Sequence, residues 1–178
     1  HAIERFLGDK ALEEGWVPAI KVVPSGKKVL IIGGGPSGLS AAYHLRRSGH
    51  EIEIREAGPV LGGMMHFGIP PYRLPRKVLD AEIQRMLNLG ISVKLGHKVA
   101  DVEKEKKEGG FDAVFIAIGA HLSKKVDIPS RDAGQILDAL SFLKDNEEGK
   151  TPKLGRRVAV YGGGNTAMDA ARVAKRLG

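Results

Sequence analysis

The chain has no cysteine. That absence excludes disulfides, thiolate zinc sites, iron–sulfur ligation and a redox-active dithiol within its 178 residues. Aromatic residues are scarce at 5%, too few for a surface that stacks successive nucleic-acid bases. No apolar run approaches the roughly 18 residues of a membrane span. The opening residues, His1-Ala2-Ile3-Glu4-Arg5, lack the apolar core of a secretory signal. Together these absences point to a cytoplasmic protein that does not enter a membrane. Glycine, by contrast, is abundant at 24 residues, which suits binding of phosphate by backbone N–H groups. The length suits one domain, or one and a piece.

The net charge is +7, which can attract nucleic acid, anionic lipid, a phosphorylated cofactor or an acidic partner. Its distribution does not favour nucleic acid. The 28 Lys and Arg are scattered among 21 acids, and the densest charged stretch, Glu103–Glu108, is mixed in sign and reads as a solvated face.

Residues 3–16 carry Ile3, Phe6, Leu7 and Ala11 at helical spacing, with Gly15 as a stop. Residues 17–27 form a linker marked by Pro18, Pro24 and Gly26. Val29–Ile32 is wholly apolar and rich in β-branched residues, as befits a strand covered on both faces of a parallel sheet. A helix follows from Pro36 to Arg47, and Ile52 and Ile54 mark a second strand that ends at Glu56. This is a compact βαβ unit. Residues 57–75 form a long glycine- and proline-rich loop of the kind that usually has a function. Further on, the pattern predicts a helix over 76–89, a strand over 91–95, a buried strand over 112–118, a helix over 135–144, a strand over 158–161 and a helix over 165–177. The expected fold is α/β, a doubly wound and mostly parallel sheet with Val29–Ile32 central, Ile52–Ile54 and Phe115–Ile118 beside it, and helices on both faces.

A repeat organises the chain. Lys28–Gly49 recurs as Arg157–Gly178: Gly33, Gly34 and Gly35 match Gly162, Gly163 and Gly164, Ser37 matches Thr166, Gly38 matches Ala167, and Ala41-Ala42 match Ala170-Ala171. The first copy has its second strand, and the second copy stops where that strand would begin. The expectation is a fragment: a helix and linker over 1–27, a partial first nucleotide-binding domain over 28–150, and the start of a second over 151–178. The apolar side of helix 165–177, with Ala170, Val173, Ala174 and Leu177, would then lack part of its cover, leading to low protection or self-association.

Gly33-x-Gly35-x-x-Gly38 follows a strand and opens a helix, with Glu56 at the end of the next strand. That context reads as a dinucleotide fingerprint. Gly33 makes the tight turn, Gly35 lets the backbone approach a pyrophosphate, and Gly38 lets helix and strand pack closely. The helix N-terminus, at Pro36 and Ser37, offers N–H groups and partial positive charge, and the Glu56 carboxylate can accept from a ribose. A plain βαβ unit whose glycines serve packing is the alternative. A P-loop would need Lys and Ser/Thr where Leu39-Ser40 stand, and a nucleophile elbow would need glycine at Leu39. Gly162-x-Gly164-x-x-Ala167 is the second fingerprint. It does not distinguish NAD from NADP, because the residue that would do so lies on the strand after Gly178. The histidines at 1, 44, 50, 66, 97 and 121 show no metal-ligand spacing. Met64-Met65 either plug the long loop or lie against a cofactor.

Four blocks then carry a resemblance: Gly33–Ala42, Glu56–Gly63, Gly68-Ile-Pro-Pro-Tyr-Arg-Leu-Pro75 and Gly162-Gly-Gly-Asn-Thr-Ala-Met-Asp-Ala-Ala-Arg172. They closely resemble the glutamate synthase small-subunit group of flavin oxidoreductases, which includes the NADPH-oxidising part of dihydropyrimidine dehydrogenase. The resemblance runs over nearly the whole chain from about Ile3. It implies a Rossmann-like unit that binds FAD, with Gly33, Gly34, Gly35, Pro36, Ser37 and Gly38 at the pyrophosphate and Glu56 at the adenosine ribose. It implies that Gly63, Met64 and Arg73 line the flavin nucleotide, that Val99 does so through its backbone, and that the turn at Gly119 passes near it. It implies NADPH or NAD at Gly163, Gly164, Asn165 and Thr166, with electrons leaving through iron–sulfur clusters on parts absent from this sequence or on a partner subunit. No catalytic side chain and no protein-bound metal are expected here. The cysteine-rich cluster region, the rest of the NADPH domain and the segment that completes the FAD domain are missing relative to that group, so impaired catalysis is expected of these residues alone. A non-catalytic nucleotide-binding or interaction module is the competing reading.

Overall fold

The computed structural model describes residues 2–16, 23–120, 122 and 134–178. Its elements are α1 (Ala2–Glu13), β1 (Lys28–Ile32), α2 (Pro36–Arg47), β2 (Glu51–Arg55), α3 (Met64–Phe67), α4 (Arg76–Leu87), β3 (Ser92–Lys94), α5 (Val102–Glu108), β4 (Ala113–Ile116), α6 (Ala139–Glu147) and α7 (Asn165–Leu177). The four strands form one parallel sheet in the order β3-β2-β1-β4. Val29 pairs with Ile52 on one side and with Ala113 on the other, so β1 is central, as its apolar run predicts.

The alternation along the strands divides the core. Val29, Ile31, Ile52 and Ile54 face one way and meet Leu39 and Ala42 of α2 and Leu79 and Ile83 of α4. Leu30 and Ile32 face the other way, against Phe111, Val99 and Val102 of α5. Helices therefore cover both faces, and the fold is α/β and doubly wound. Burying an Ile or Leu side chain contributes about 1.5–3 kcal/mol, and Leu30, Ile31, Ile52 and Ile54 are fully buried. α2 begins with Pro36 at its first turn and gives way to Gly49 at φ 91°, a left-handed turn that returns the chain to β2.

Several elements differ from the sequence pattern. The stretch Glu103–Glu108 lies in α5: Asp101 caps it by accepting from the Lys104 N–H at 3.0 Å, and Glu103 and Glu105 sit in its first turn. The strand expected over 112–118 forms over Ala113–Ile116, and it is exposed. β4 is the edge of the sheet, and Ile116 is 57% exposed because nothing among the described residues covers it. The helix expected over 135–144 starts later, at Ala139, where the Asp138 carboxylate accepts from the Ser141 N–H at 2.8 Å. Residues 158–161 form no strand. Their β propensity is high, but a strand exists only when paired; Val158, Val160 and Tyr161 stay exposed. Of the N-terminal stripe only Ala11 is buried, and Ile3 and Phe6 face outward. The linker reading of 17–22 and the histidines at 1 and 121 lie outside the described residues.

The face of α7 is not left bare. Ala170, Val173 and Ala174 are buried against Phe142 and Leu143 of α6, with Tyr72 and Leu154 at the margin. Val173 is therefore covered, contrary to the expectation from the missing sheet, and of the larger apolar pair only Leu177 is exposed. A helix stripe needs an apolar partner of any class, and α6 supplies one.

Candidate functional site

The first glycine loop joins β1 to α2, and each glycine in it meets a different constraint. Gly33 has φ 106° and donates to the Arg55 carbonyl at 2.9 Å; a β-carbon there would lie 2.3 Å from the Ala117 carbonyl oxygen. A β-carbon on Gly38 would lie 1.9 Å from the Gly33 carbonyl oxygen, so α2 packs directly on the turn. Gly34 donates to the Glu56 carboxylate at 2.7 Å, and its carbonyl accepts from Gly62 at 2.8 Å. Gly35 is different. Its φ of −78° is ordinary, and a β-carbon there would approach nothing closer than the Gly63 Cα at 3.9 Å. The space beside Gly35 is thus open, at the N-terminus of a twelve-residue helix whose first N–H groups lack intrahelical acceptors. This is a cradle that a side chain would fill.

Glu56 sits immediately past β2, where the pattern places it. One carboxylate oxygen accepts from Gly34 and the other from the Gly58 N–H, each at 2.7 Å. Its backbone is pinned by the Lys94 carbonyl and the His97 N–H, both at 2.9 Å. Each carboxylate oxygen retains acceptor capacity for a hydroxyl pair. Beneath it, on the far face of the sheet, Arg55 is buried and ion-paired to Glu53 at 2.8 Å and to Glu105, with its guanidinium 5.3 Å from the Phe111 ring centre. Burial pushes the Glu53 carboxyl up, but hydrogen bonds from Arg55 and Lys94 outweigh it and hold the group below the ordinary carboxylate range.

The long loop folds back over the first glycine loop. A β-carbon on Gly63 would sit 3.0 Å from the Gly35 Cα, and Gly63 takes φ 52°, so glycine meets glycine at this crossing. Met64 begins α3, a short turn inside the stretch that reads as irregular in sequence. Arg73 donates to the Asp169 carboxylate of α7 at 2.6 Å, and the Tyr72 hydroxyl donates to the other oxygen at 3.2 Å. Asp169 is 4% exposed and Arg73 39%. Arg176 stacks over Tyr72, 3.9 Å from the ring centre. In the second glycine loop, β-carbons on Gly163 and Gly164 would meet nothing within 4 Å, Gly162 has φ 132°, and Asn165 and Thr166 open α7.

These parts converge on one cleft of about 380 Å³. Pro36, Met64, Met65, Gly68, Ile69 and Arg73 line one side; Leu140, Asn165, Thr166 and Asp169 line the other. Of the residues singled out in sequence, Pro36, Met64, Arg73, Asn165 and Thr166 meet there, and Gly33, Gly34, Gly35, Gly38, Glu56 and Gly63 adjoin Pro36 through the crossing loops. Val99 lies elsewhere: its side chain packs on Leu30, Ile32 and Phe111 across the sheet. Gly119, at φ 70°, is exposed just beyond β4. Asp169, Tyr72, Arg76 and Glu147 escaped the sequence reading. For Asp169 there was a signal, a lone acid beside Ala170 and Val173 on an otherwise apolar helix side. Among the described residues no group of three or more His, Cys, Asp or Glu is placed to hold a metal, and no helix is long and apolar enough to cross a membrane.

Comparison with known proteins adds the following. The family model described as pyridine nucleotide-disulphide oxidoreductase matches residues 27–178. The chain is 48% identical over 202 aligned positions to the NADP(+)-dependent formate dehydrogenase subunit beta of Moorella thermoacetica, covering 99% of this chain and 29% of that protein. It is 37% identical to the glutamate synthase [NADPH] small chain of Escherichia coli, covering 99% of this chain and 40% of that one. The chain thus spans well under half the length of either relative. Among solved structures, FprA of Mycobacterium tuberculosis in complex with NADPH superposes with a TM-score of 0.71 at 25% identity, covering 85% of this chain and 36% of that one.

Proposed function

Because this chain belongs to the pyridine nucleotide-disulphide oxidoreductase family, we propose that it is the FAD-binding portion of an NAD(P)H-dependent oxidoreductase of the glutamate synthase small-subunit type. Residues 28–150 form the FAD-binding part and 151–178 the start of the NAD(P)H-binding part. The observation that carries this reading is the cleft at which both glycine-loop helices begin, Pro36 on one wall and Asn165 and Thr166 on the other. Relatives named for NADP(+) and NADPH, and a structural neighbour solved with NADPH, support it.

The residues fit the cofactor. The open space at Gly35 admits a pyrophosphate where any larger residue would intrude, and the N-terminus of α2 offers it N–H groups and partial positive charge. Glu56 is held ready to accept from ribose hydroxyls. Gly63, Met64 and Arg73 line the flavin side, and backbone contacts from Val99 and Gly119 would meet the cofactor outside this cleft. Gly163, Gly164, Asn165 and Thr166 receive the nicotinamide dinucleotide. FAD supplies the capacity to accept a hydride equivalent and to release electrons singly. The protein's part is to hold the two dinucleotides at one cleft, to keep Arg73 neutralised by Asp169 beside it, and to exclude water with Met64, Met65 and Ile69. Within a longer cytoplasmic protein, iron–sulfur clusters on further modules or a partner subunit would take up those electrons.

The test is the absorbance spectrum of the purified chain after incubation with FAD and gel filtration. Retained flavin bands that bleach on adding NADPH support the reading, and ADP binding without retained flavin favours a non-catalytic nucleotide module. Glu56→Gln should weaken FAD or ADP binding by about 1–3 kcal/mol, the scale of a charge-assisted hydrogen bond. Unchanged affinity by titration calorimetry would move the ribose contact elsewhere.

A further inference from the structure

One wall of the cleft is built from chain that buries little of itself. α3 has four residues, none of them buried, and glycines with positive φ precede it. What fixes this wall is the guanidinium of Arg76, the first residue of α4. Its Nη2 donates to the His66 and Ile69 carbonyls at 2.6 and 2.8 Å. Its Nη1 donates to the Leu74 carbonyl at 3.0 Å and to the Met65 carbonyl at 3.4 Å. Its Nε donates to the Glu147 carboxylate of α6 at 2.7 Å. An arginine has five N–H donors in a rigid fork, and here every one has an acceptor. Arg76 is 18% exposed and Glu147 15%. The pair is mostly shielded from solvent, where a charge-assisted bond is worth more than at a surface.

The placement of these acceptors matters. Met65 and Ile69 line the cleft, so their carbonyls on Arg76 fix where its wall stands. Glu147 ends α6, which contributes Leu140 to the facing wall and packs against α7. One side chain therefore ties both walls together without itself lining the cleft. We infer that Arg76 is the positioning residue of this site: its fork, closed by Glu147, sets the position of the flavin-side wall relative to α6 and α7. The inference takes that wall to face the flavin, as proposed above. A lysine would keep the charge but offers three donors from one point, so it cannot reproduce the five-bond arrangement.

The experiment uses the whole chain as wild type, Arg76→Lys, Arg76→Met and Glu147→Gln. Its first measurement needs no cofactor. Amide hydrogen exchange is followed at Met65, His66, Phe67, Gly68, Arg73 and Leu74, whose N–H groups bond within the loop, and at β1 and β2 as reference. Arg76→Lys should raise exchange in the loop about tenfold or more while the reference strands hold their protection. Glu147→Gln should raise it by a smaller factor. The second measurement is FAD affinity and the visible circular dichroism of bound flavin, which reports the setting of the ring. Arg76→Lys should weaken affinity about tenfold and change the dichroic bands. Loop protection equal to wild type in Arg76→Lys would overturn the inference, as would a loss of protection spread evenly over loop and strands. If Arg76→Met fails to fold, the lysine and glutamine variants still decide. If wild type binds no FAD, the flavin reading fails, and the exchange data alone judge Arg76 as the residue that positions the wall.

Discussion

Gly35 and Gly38 stand three residues apart in the same motif, yet the structure assigns them opposite consequences on substitution. In Gly38→Ala the new methyl would lie 1.9 Å from the Gly33 carbonyl oxygen, so one of them must move by more than an ångström. Gly33 has little room to retreat: its N–H is bonded to the Arg55 carbonyl, and even a β-carbon on it would lie 2.3 Å from the Ala117 carbonyl oxygen. Alanine gains about 1 kcal/mol of helix propensity over glycine, but overpacking of this kind costs about 1–3 kcal/mol and occasionally more. A net loss of about 2 kcal/mol is expected, the upper end of that range less the propensity gain. In Gly35→Ala the methyl meets ordinary contact at 3.9 Å and an ordinary φ. The fold should lose only about 0.5–1 kcal/mol, from a poorer N-cap. The same methyl stands in the proposed pyrophosphate cradle, so ADP and FAD affinity should fall at least about tenfold, or 1.4 kcal/mol. Urea unfolding separates the stabilities, and titration calorimetry with ADP separates the affinities. A Gly35→Ala variant with wild-type ADP affinity would refute the cradle, and one as unstable as Gly38→Ala would refute the packing account.

Two further outcomes follow from the ion pairs. Arg73→Ala strands a nearly fully buried Asp169 carboxylate with only the Tyr72 hydroxyl, and should cost about 3 kcal/mol in urea unfolding; Asp169→Asn keeps an acceptor for Arg73 and should cost about 1 kcal/mol. Equal losses would show that the pair is screened from both sides. Glu53 has a carboxyl held below the ordinary range, so its contribution is complete at neutral pH and disappears as pH falls through that lowered value. The stability gap between wild type and Glu53→Gln, followed by urea midpoints from neutral to acid, should therefore narrow only below the ordinary carboxylate range, and a gap that widens on acidification would contradict the assignment.

The elements legible in the sequence are those whose information is local. β1, α2 and β2 follow from an apolar run, a proline at a helix start and Gly49, and the fingerprint fixes their connection. α4, β3 and α7 follow from periodicity. What was not legible depends on distant partners. Residues 158–161 have the composition of a strand and lack a ladder. β4 has that composition and one pairing partner, but no cover. α5 hides in a charged heptapeptide with a single apolar residue, Val102, and only the cap at Asp101 marks it. Around the cleft, Gly33 and Gly38 could be read because the tight turn and the close helix packing demand glycine, and Asn165 through the family resemblance. The pairings of Asp169 with Arg73 and of Glu147 with Arg76 could not, since the partners lie 96 and 71 positions apart in the chain.

The strand order has a consequence for how the chain reaches this structure. The Gly34–Glu56 bond closes a loop of 22 residues, whereas the bond between the Lys28 N–H and Asp112 spans 84. Closing the longer loop costs about 1.2 kcal/mol more in chain entropy, at about 0.6 kcal/mol per doubling. β1, α2 and β2 can thus associate soon after they leave the ribosome, and β4 must arrive later. Until it does, the outer edge of β1 presents the N–H and C=O groups of its most apolar segment to any other extended chain nearby. A slow refolding phase whose rate depends on substitutions at Asp112 or Phe115, and not at Leu39, is the kinetic signature of that late arrival.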